Sequence, residues 1–154
     1  MDAEFICSEI ERNREEIIKL SLALWENPEG PYEEFKASAW TADLLEKHGF
    51  EVEREAGGIK TAVKACFGTE RPVIGFLGEY DALPGLSQTR SSAPEPVPGQ
   101  KYGHGCGHNL ICGANVGAVI ALKAQMERDH IPGTIVFYGC PAEEVLTGKP
   151  FMAR

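Results

Sequence analysis

Two histidines and two cysteines fall within nine positions of the stretch KYGHGCGHNLICGAN, residues 101–115: His104, Cys106, His108 and Cys112. Only Gly107 separates Cys106 from His108, so one loop presents a thiolate and an imidazole to the same region. The flanking glycines permit backbone angles that side chains forbid. Metal ligation is one chemistry for such a pair. A glycine-rich turn with a buried cysteine and a helix-capping residue is the plain alternative. His104 and Cys112 would complete a four-ligand structural zinc site, although the stretch lacks the separated ligand pairs of fingers and ribbons. Cys106 as a nucleophile beside a histidine base is a further option.

Two other stretches carry carboxylates where chemistry can use them. In CPAEE, Glu143 and Glu144 follow an apolar run. Adjacent carboxylates can divide labour, one binding a cation while its neighbour takes a proton from water. They also suit the acidic first turn of a helix, where negative charge meets the macrodipole. In GEYDALPG, Asp81 ends another apolar run and can hydrogen-bond a ligand imidazole to fix its tautomer. An aspartate in a turn before Pro84 is the structural alternative, and Glu79 and Tyr80 are weaker candidates of the same kind.

These residues need elements to position them. Ile6, Ile10, Ile17, Leu20 and Leu24 recur at helical spacing, which predicts one amphipathic helix stopping near NPEGPYE. A second helix is expected over 31–48, with Pro31 at its start, acidic residues in its first turn, Phe35, Ala39, Ala42 and Leu45 on one face, and Gly49 as terminator. Both read as scaffold. From Phe50 the period changes to short runs, FEVERE, IKTAVKACFG and PVIGFLGEY, divided by turn signals, which predicts three strands. The third, about 73–79, is nearly all apolar, as expected of a strand covered on both faces. Residues 85–103 are rich in Pro, Ser and Gly without periodicity and read as a long loop. LICGANVGAVIALKAQMERD reads as a buried helix whose small residues permit close packing, GTIVFYGC as a fourth strand, and PAEEVLTGKP as the segment leaving it. This order implies an α/β sheet with GEYDALPG, GHGCGHN and CPAEE all at strand ends.

The chain of 154 residues has 43% hydrophobic and 25% charged residues, globular usage, and one domain is expected. No apolar run reaches the roughly 18 residues that a membrane span needs, and the acidic N-terminus lacks the order of a secretory signal. A cytoplasmic location without membrane partners is expected. A net charge of −8 without a basic cluster argues against nucleic acid as a partner. Five cysteines, unevenly spread, argue for reduced thiols rather than a disulfide framework.

Taken together and in this order, LGEYDALPG, GHGCGHN and FYGCPAEE resemble the M20 metallopeptidase and amidohydrolase family, in the branch of aminobenzoyl-glutamate hydrolase B-like and M20 domain-containing protein 2-like enzymes. The resemblance implies a zinc-peptidase-like catalytic domain, a mixed β-sheet flanked by helices. It implies hydrolysis of an amide bond in a small N-acyl amino acid, aminobenzoyl-glutamate or a dipeptide, with two divalent ions, zinc or manganese, in the complete enzyme. Cys106, His108 and Glu144 are then metal ligands, Glu143 the general base, and Asp81 the aspartate that supports the site. Many relatives carry Asp after Cys-Gly-His; here the residue is Asn109, as in the named branch.

Length departs from the family, whose members run to several hundred residues, with an inserted dimerisation domain and histidine ligands after the Glu-Glu pair. His130 precedes that pair and reads as a surface turn. Residues 1–154 are therefore expected to be the N-terminal part of the catalytic domain, incomplete at the C-terminus. That part would hold two N-terminal helices over 4–48, strands, and a helix over about 108–128, without the dimerisation domain. A small-molecule amide substrate and a homodimeric full-length parent follow from the resemblance. The competing expectation is a truncated, non-catalytic remnant that binds metal or a partner.

Overall fold

The structure, a computed structural model, describes residues 2–153. Three helices come first, α1 (Ala3–Arg12), α2 (Arg14–Glu26) and α3 (Phe35–Lys47), followed by strands β1 (Glu51–Arg54), β2 (Val63–Phe67) and β3 (Val73–Glu79). Two short strands, β4 (Leu83–Pro84) and β5 (Tyr102–Gly103), pair with each other and pinch off the long loop between them. The long helix α4 (His108–Asp129), strand β6 (Thr134–Cys140) and the short helix α5 (Gly148–Met152) complete the chain.

The main sheet is mixed, as expected, with strand order β1-β2-β6-β3. β2 is antiparallel to both β1 and β6, whereas β3 runs parallel to β6 with Gly78 beside Gly139 and Glu79 beside Cys140. Parallel neighbours need a crossover, and α4 supplies it. Ala65, Ile135 and Phe137 on the sheet join Leu24, Leu45, Val116 and Val119 on the helices in one core. The small residues of α4 have the expected consequence. A Cβ on Gly117 would come within 2.8 Å of Ile17 Cδ1, so glycine lets the Ile17 side chain of α2 pack directly onto α4.

Three details differ from the pattern reading. The first amphipathic stretch is two helices, because Asn13 both ends α1 and opens α2; its side chain donates to the Glu9 carbonyl at 2.8 Å and competes with the backbone there. The second helix begins at Phe35 rather than Pro31, since Tyr32 has a left-handed φ of 62° and the Glu29 carboxylate accepts the N–H groups of Lys36 and Ala37 in place of an N-cap. Its buried residues are Ala37, Ser38, Thr41, Ala42 and Leu45, so Ala42 and Leu45 lie inward as expected while Phe35 is exposed. Finally, β3 is not covered on both faces. It is the outermost strand of the described sheet, and Val73, Ile74 and Leu77 are exposed.

Candidate functional site

The parallel strands β3 and β6 end at the same margin of the sheet, and α4 begins there. Side chains just beyond such strand ends converge in a crevice. Asp81 lies two residues past β3, His108 is the first residue of α4, and Glu143 and Glu144 sit in a 3-10 turn just past β6. Two backbone features make these exits possible. Gly107, with φ of 85° and open space around it, turns the chain sharply between Cys106 and His108. Ala142 adopts the left-handed region at φ 53°, ψ 39°, which redirects the chain immediately before Glu143.

Asp81 is buried and binds two of the three stretches together. Its Oδ1 accepts from His108 Nδ1 at 3.1 Å, its backbone carbonyl accepts from the same nitrogen at 2.9 Å, and its Oδ2 accepts from the Glu144 N–H at 3.0 Å. A carbonyl oxygen can only accept, so His108 carries its proton on Nδ1, and the Nε2 lone pair of the neutral ring is free. Nε2 faces Glu143 Oε2 at 3.6 Å and Glu144 Oε1 at 3.8 Å. Donor atoms of Cys106, His108 and Glu144 all lie within 4.8 Å of one another.

Electrostatics follow from this crowding of carboxylates. Burial disfavours the His108 cation, but the hydrogen bonds and charge of Asp81 outweigh it and raise the imidazole above its ordinary value. Burial likewise opposes the Asp81 charge, yet the bonds from His108 and the Glu144 N–H hold its carboxyl below the usual range. Partial desolvation and the neighbouring Glu144 and Glu143 push the Cys106 thiol up. That direction is opposite to the activation a cysteine nucleophile needs. A thiol, an imidazole lone pair and a buried Glu144 Oε1 without a hydrogen-bond partner, in a field of negative charge, suit a divalent cation.

The remaining candidates separate from this cluster. Cys112 is buried on α4 with its Sγ 3.5 Å from Thr41 Oγ1, and burial pushes its thiol up to about 12. His104 is buried and, chiefly through desolvation, lowered to about 4. Neither shares the cluster of Cys106, His108 and Glu144. Tyr80 is buried and donates to the Thr61 carbonyl, and Asn109 caps nothing at the cluster but reaches Ser21 Oγ at 3.2 Å. His130 terminates α4 in the left-handed conformation, the surface turn expected of it. Two residues escaped the pattern reading. Lys149 Nζ pairs with Glu79 and lies 3.7 Å from Glu143 Oε1, and Glu34 accepts the Ala142 N–H from across the molecule. Lys149 is the first basic residue after the acidic pair, which is a signal; Glu34 looks like any acidic residue at a helix start.

Fold and site together define an α/β protein whose parallel strand ends bring a thiol, an imidazole and a carboxylate within 4.8 Å of one another, with a second carboxylate beside them. Residues 75–154 match Peptidase family M20/M25/M40, and the chain belongs to this family. It is 46% identical over 151 residues to a p-aminobenzoyl-glutamate hydrolase subunit of Escherichia coli, covering 97% of this chain and 31% of that protein. It is 33% identical over 161 residues to human Xaa-Arg dipeptidase, covering 91% of this chain and 32% of the relative. Among solved structures it superposes on the Bacillus subtilis YXEP protein, described as a dinuclear metal-binding peptidase from the M20 family. The TM-score is 0.74 at 26% identity, covering 99% of this chain and 40% of that one. The chain thus spans about a third of the length of the curated relatives it matches. No helix among the described residues is long and apolar enough to cross a membrane.

Proposed function

We propose that this chain is the N-terminal part of the catalytic domain of a metal-dependent amidohydrolase. Its substrate would be the amide bond of a small N-acyl amino acid, aminobenzoyl-glutamate or a dipeptide. The observation that carries this reading is the convergence of Cys106, His108 and Glu144 within 4.8 Å, with the Glu143 carboxylate beside them. The names of the relatives, a p-aminobenzoyl-glutamate hydrolase subunit and a dipeptidase, support the substrate class. A homodimeric parent and a cytoplasmic setting belong to the same proposal.

Cys106, His108 and Glu144 would hold a divalent ion, zinc by the softness of the thiolate or manganese by the carboxylate, and a second ion would need donors beyond these three. A bound divalent cation supplies Lewis acidity toward the scissile carbonyl and acidifies water. The chain's own residues do the rest. Asp81 fixes the His108 ring so that Nε2 points into the site. Glu143 accepts a proton from the attacking water as the new C–O bond forms, then delivers it to the amide nitrogen as the C–N bond breaks. Lys149, near Glu143 Oε1, leaves Oε2 as the oxygen turned toward His108.

Glu143→Gln, measured in the intact protein, is expected to lower kcat by at least about a hundredfold, as loss of a general base does, while metal content by elemental analysis stays unchanged. Turnover at the wild-type rate would refute the base assignment.

A further inference from the structure

The turn between α2 and α3, residues 28–34, touches every stretch that builds the site. The Glu29 carbonyl accepts the N–H of Ala82, next to Asp81, at 2.8 Å. Gly30 lies against the Tyr102 ring so closely that any Cβ would overlap it. Tyr32 Oη donates to Thr147 Oγ1 at 2.7 Å. Glu34, fully buried, accepts the Ala142 N–H on Oε1 at 2.8 Å and the Thr61 hydroxyl on Oε2 at 2.8 Å. The turn is itself anchored, because the Glu29 carboxylate takes the Lys36 and Ala37 N–H groups at 2.9 and 3.0 Å.

A buried carboxylate is a costly filler, and an apolar side chain would occupy this volume without desolvation. What the carboxylate provides is a long, fixed acceptor that joins the backbone of its own turn, at Tyr32 and Glu34, to one distant N–H. That N–H belongs to Ala142, whose left-handed conformation is unfavourable for an L-residue and persists only where the surroundings hold it. Glu143 follows directly, and its direction from the chain depends on that turn.

We propose that Glu34 is a positioning residue, clamping Ala142 in its left-handed turn so that the Glu143 carboxylate is aimed into the site. The proposal rests on Glu143 as the base. Reach, rather than charge, is the property required: Gln retains an oxygen at the same distance, whereas Asp keeps the charge and withdraws it by one methylene.

The test compares Glu34→Gln, Glu34→Asp and Glu143→Gln in the intact protein as isolated from its source. It reads kcat and KM for p-aminobenzoyl-glutamate and hydrogen–deuterium exchange at the Ala142 amide. Glu34→Asp is expected to lose about tenfold to a hundredfold in kcat, the effect of a misplaced catalytic group, with KM within about twofold. Its Ala142 amide should exchange at least about tenfold faster, the loss of a held N–H. Glu34→Gln should keep kcat within about threefold and the slow exchange, because the acceptor stays in place. Wild-type kcat or unchanged exchange in Glu34→Asp overturns the proposal, as does a Gln variant as impaired as the Asp variant. Full turnover in Glu143→Gln would instead sink the base assignment, and Ala142 exchange would still decide whether Glu34 holds the turn.

Discussion

Two of the three clustered side chains, His108 and Glu144, are set by a neighbour outside the cluster, Asp81. It holds the His108 proton on Nδ1 and the Glu144 backbone in place at once. Its loss is therefore expected to weaken metal binding through geometry, by about tenfold to a hundredfold for Asp81→Ala in a competition titration against a chromophoric chelator. As a proposed ligand, Cys106 would act directly. Cys106→Ala should lower metal occupancy in the purified protein, and full stoichiometric retention would remove it from the ligand set. The pair of His108 and Asp81 also makes the metal-free protein sensitive to pH. The folded value of His108 is raised above its ordinary 6.5, so its contribution to stability is fully present below that pH and is lost as pH rises through the folded value. Asp81, with a folded value below its ordinary 3.8, contributes above that pH and loses the contribution only in stronger acid. Thermal midpoints of the metal-free protein should thus fall as pH rises from the ordinary 6.5 of His108 through its raised folded value, and Asp81→Asn should flatten that slope. A midpoint that rises over this range would contradict the His108–Asp81 coupling.

At the scale of elements, the β3–α4–β6 unit is what brings residues 81, 108 and 143–144 to one place, and its packing is tight where the strands meet the helix. A Cβ on Gly78 would lie 2.8 Å from Phe137 Cζ and 3.4 Å from the Cys112 Cα, with Phe137 fully buried. Gly78→Ala should cost about 1–3 kcal/mol by urea denaturation, and Phe137→Leu in the same chain should recover part of it by making room. This unit is legible in the sequence because apolar runs, a small-residue helix and chemically loaded strand ends all agree on it. What is not legible depends on contacts distant along the chain. Asn13 splits a helix by a side-chain bond that helical spacing cannot reveal. Glu29 caps α3 from seven residues before the nearest amide it accepts, so Pro31 reads as the start when Phe35 is. Glu34 reads as a solvated acid at a helix N-terminus, yet its partners are Thr61 and Ala142, brought to it only by the folded chain. The near-continuous apolar run of β3 correctly marks a strand, but one exposed edge was not distinguishable from burial on both faces.

For the whole molecule, that edge is the feature with the largest physical consequence. β3 has no strand beside it on its outer side among the described residues, and Val73, Ile74 and Leu77 are 57%, 50% and 47% exposed. Asn115 Nδ2 takes up the Leu77 carbonyl at 3.1 Å, which protects one acceptor of the outward row. An apolar edge with unpaired backbone groups is a template for another strand, and proteins ordinarily blunt such edges with charge. The 154-residue chain by itself is therefore expected to associate as its concentration rises, measured as a shift in sedimentation velocity. Val73→Lys places a charge on the edge at a position already half in water, so it should move the distribution toward monomer. Its effect on the stability of the monomer should stay within about 0.5 kcal/mol, as for other exposed substitutions. A wild-type chain that sediments as monomer at every concentration would show that the edge is quiet in solution. Association that Val73→Lys leaves untouched would place the contact on another surface.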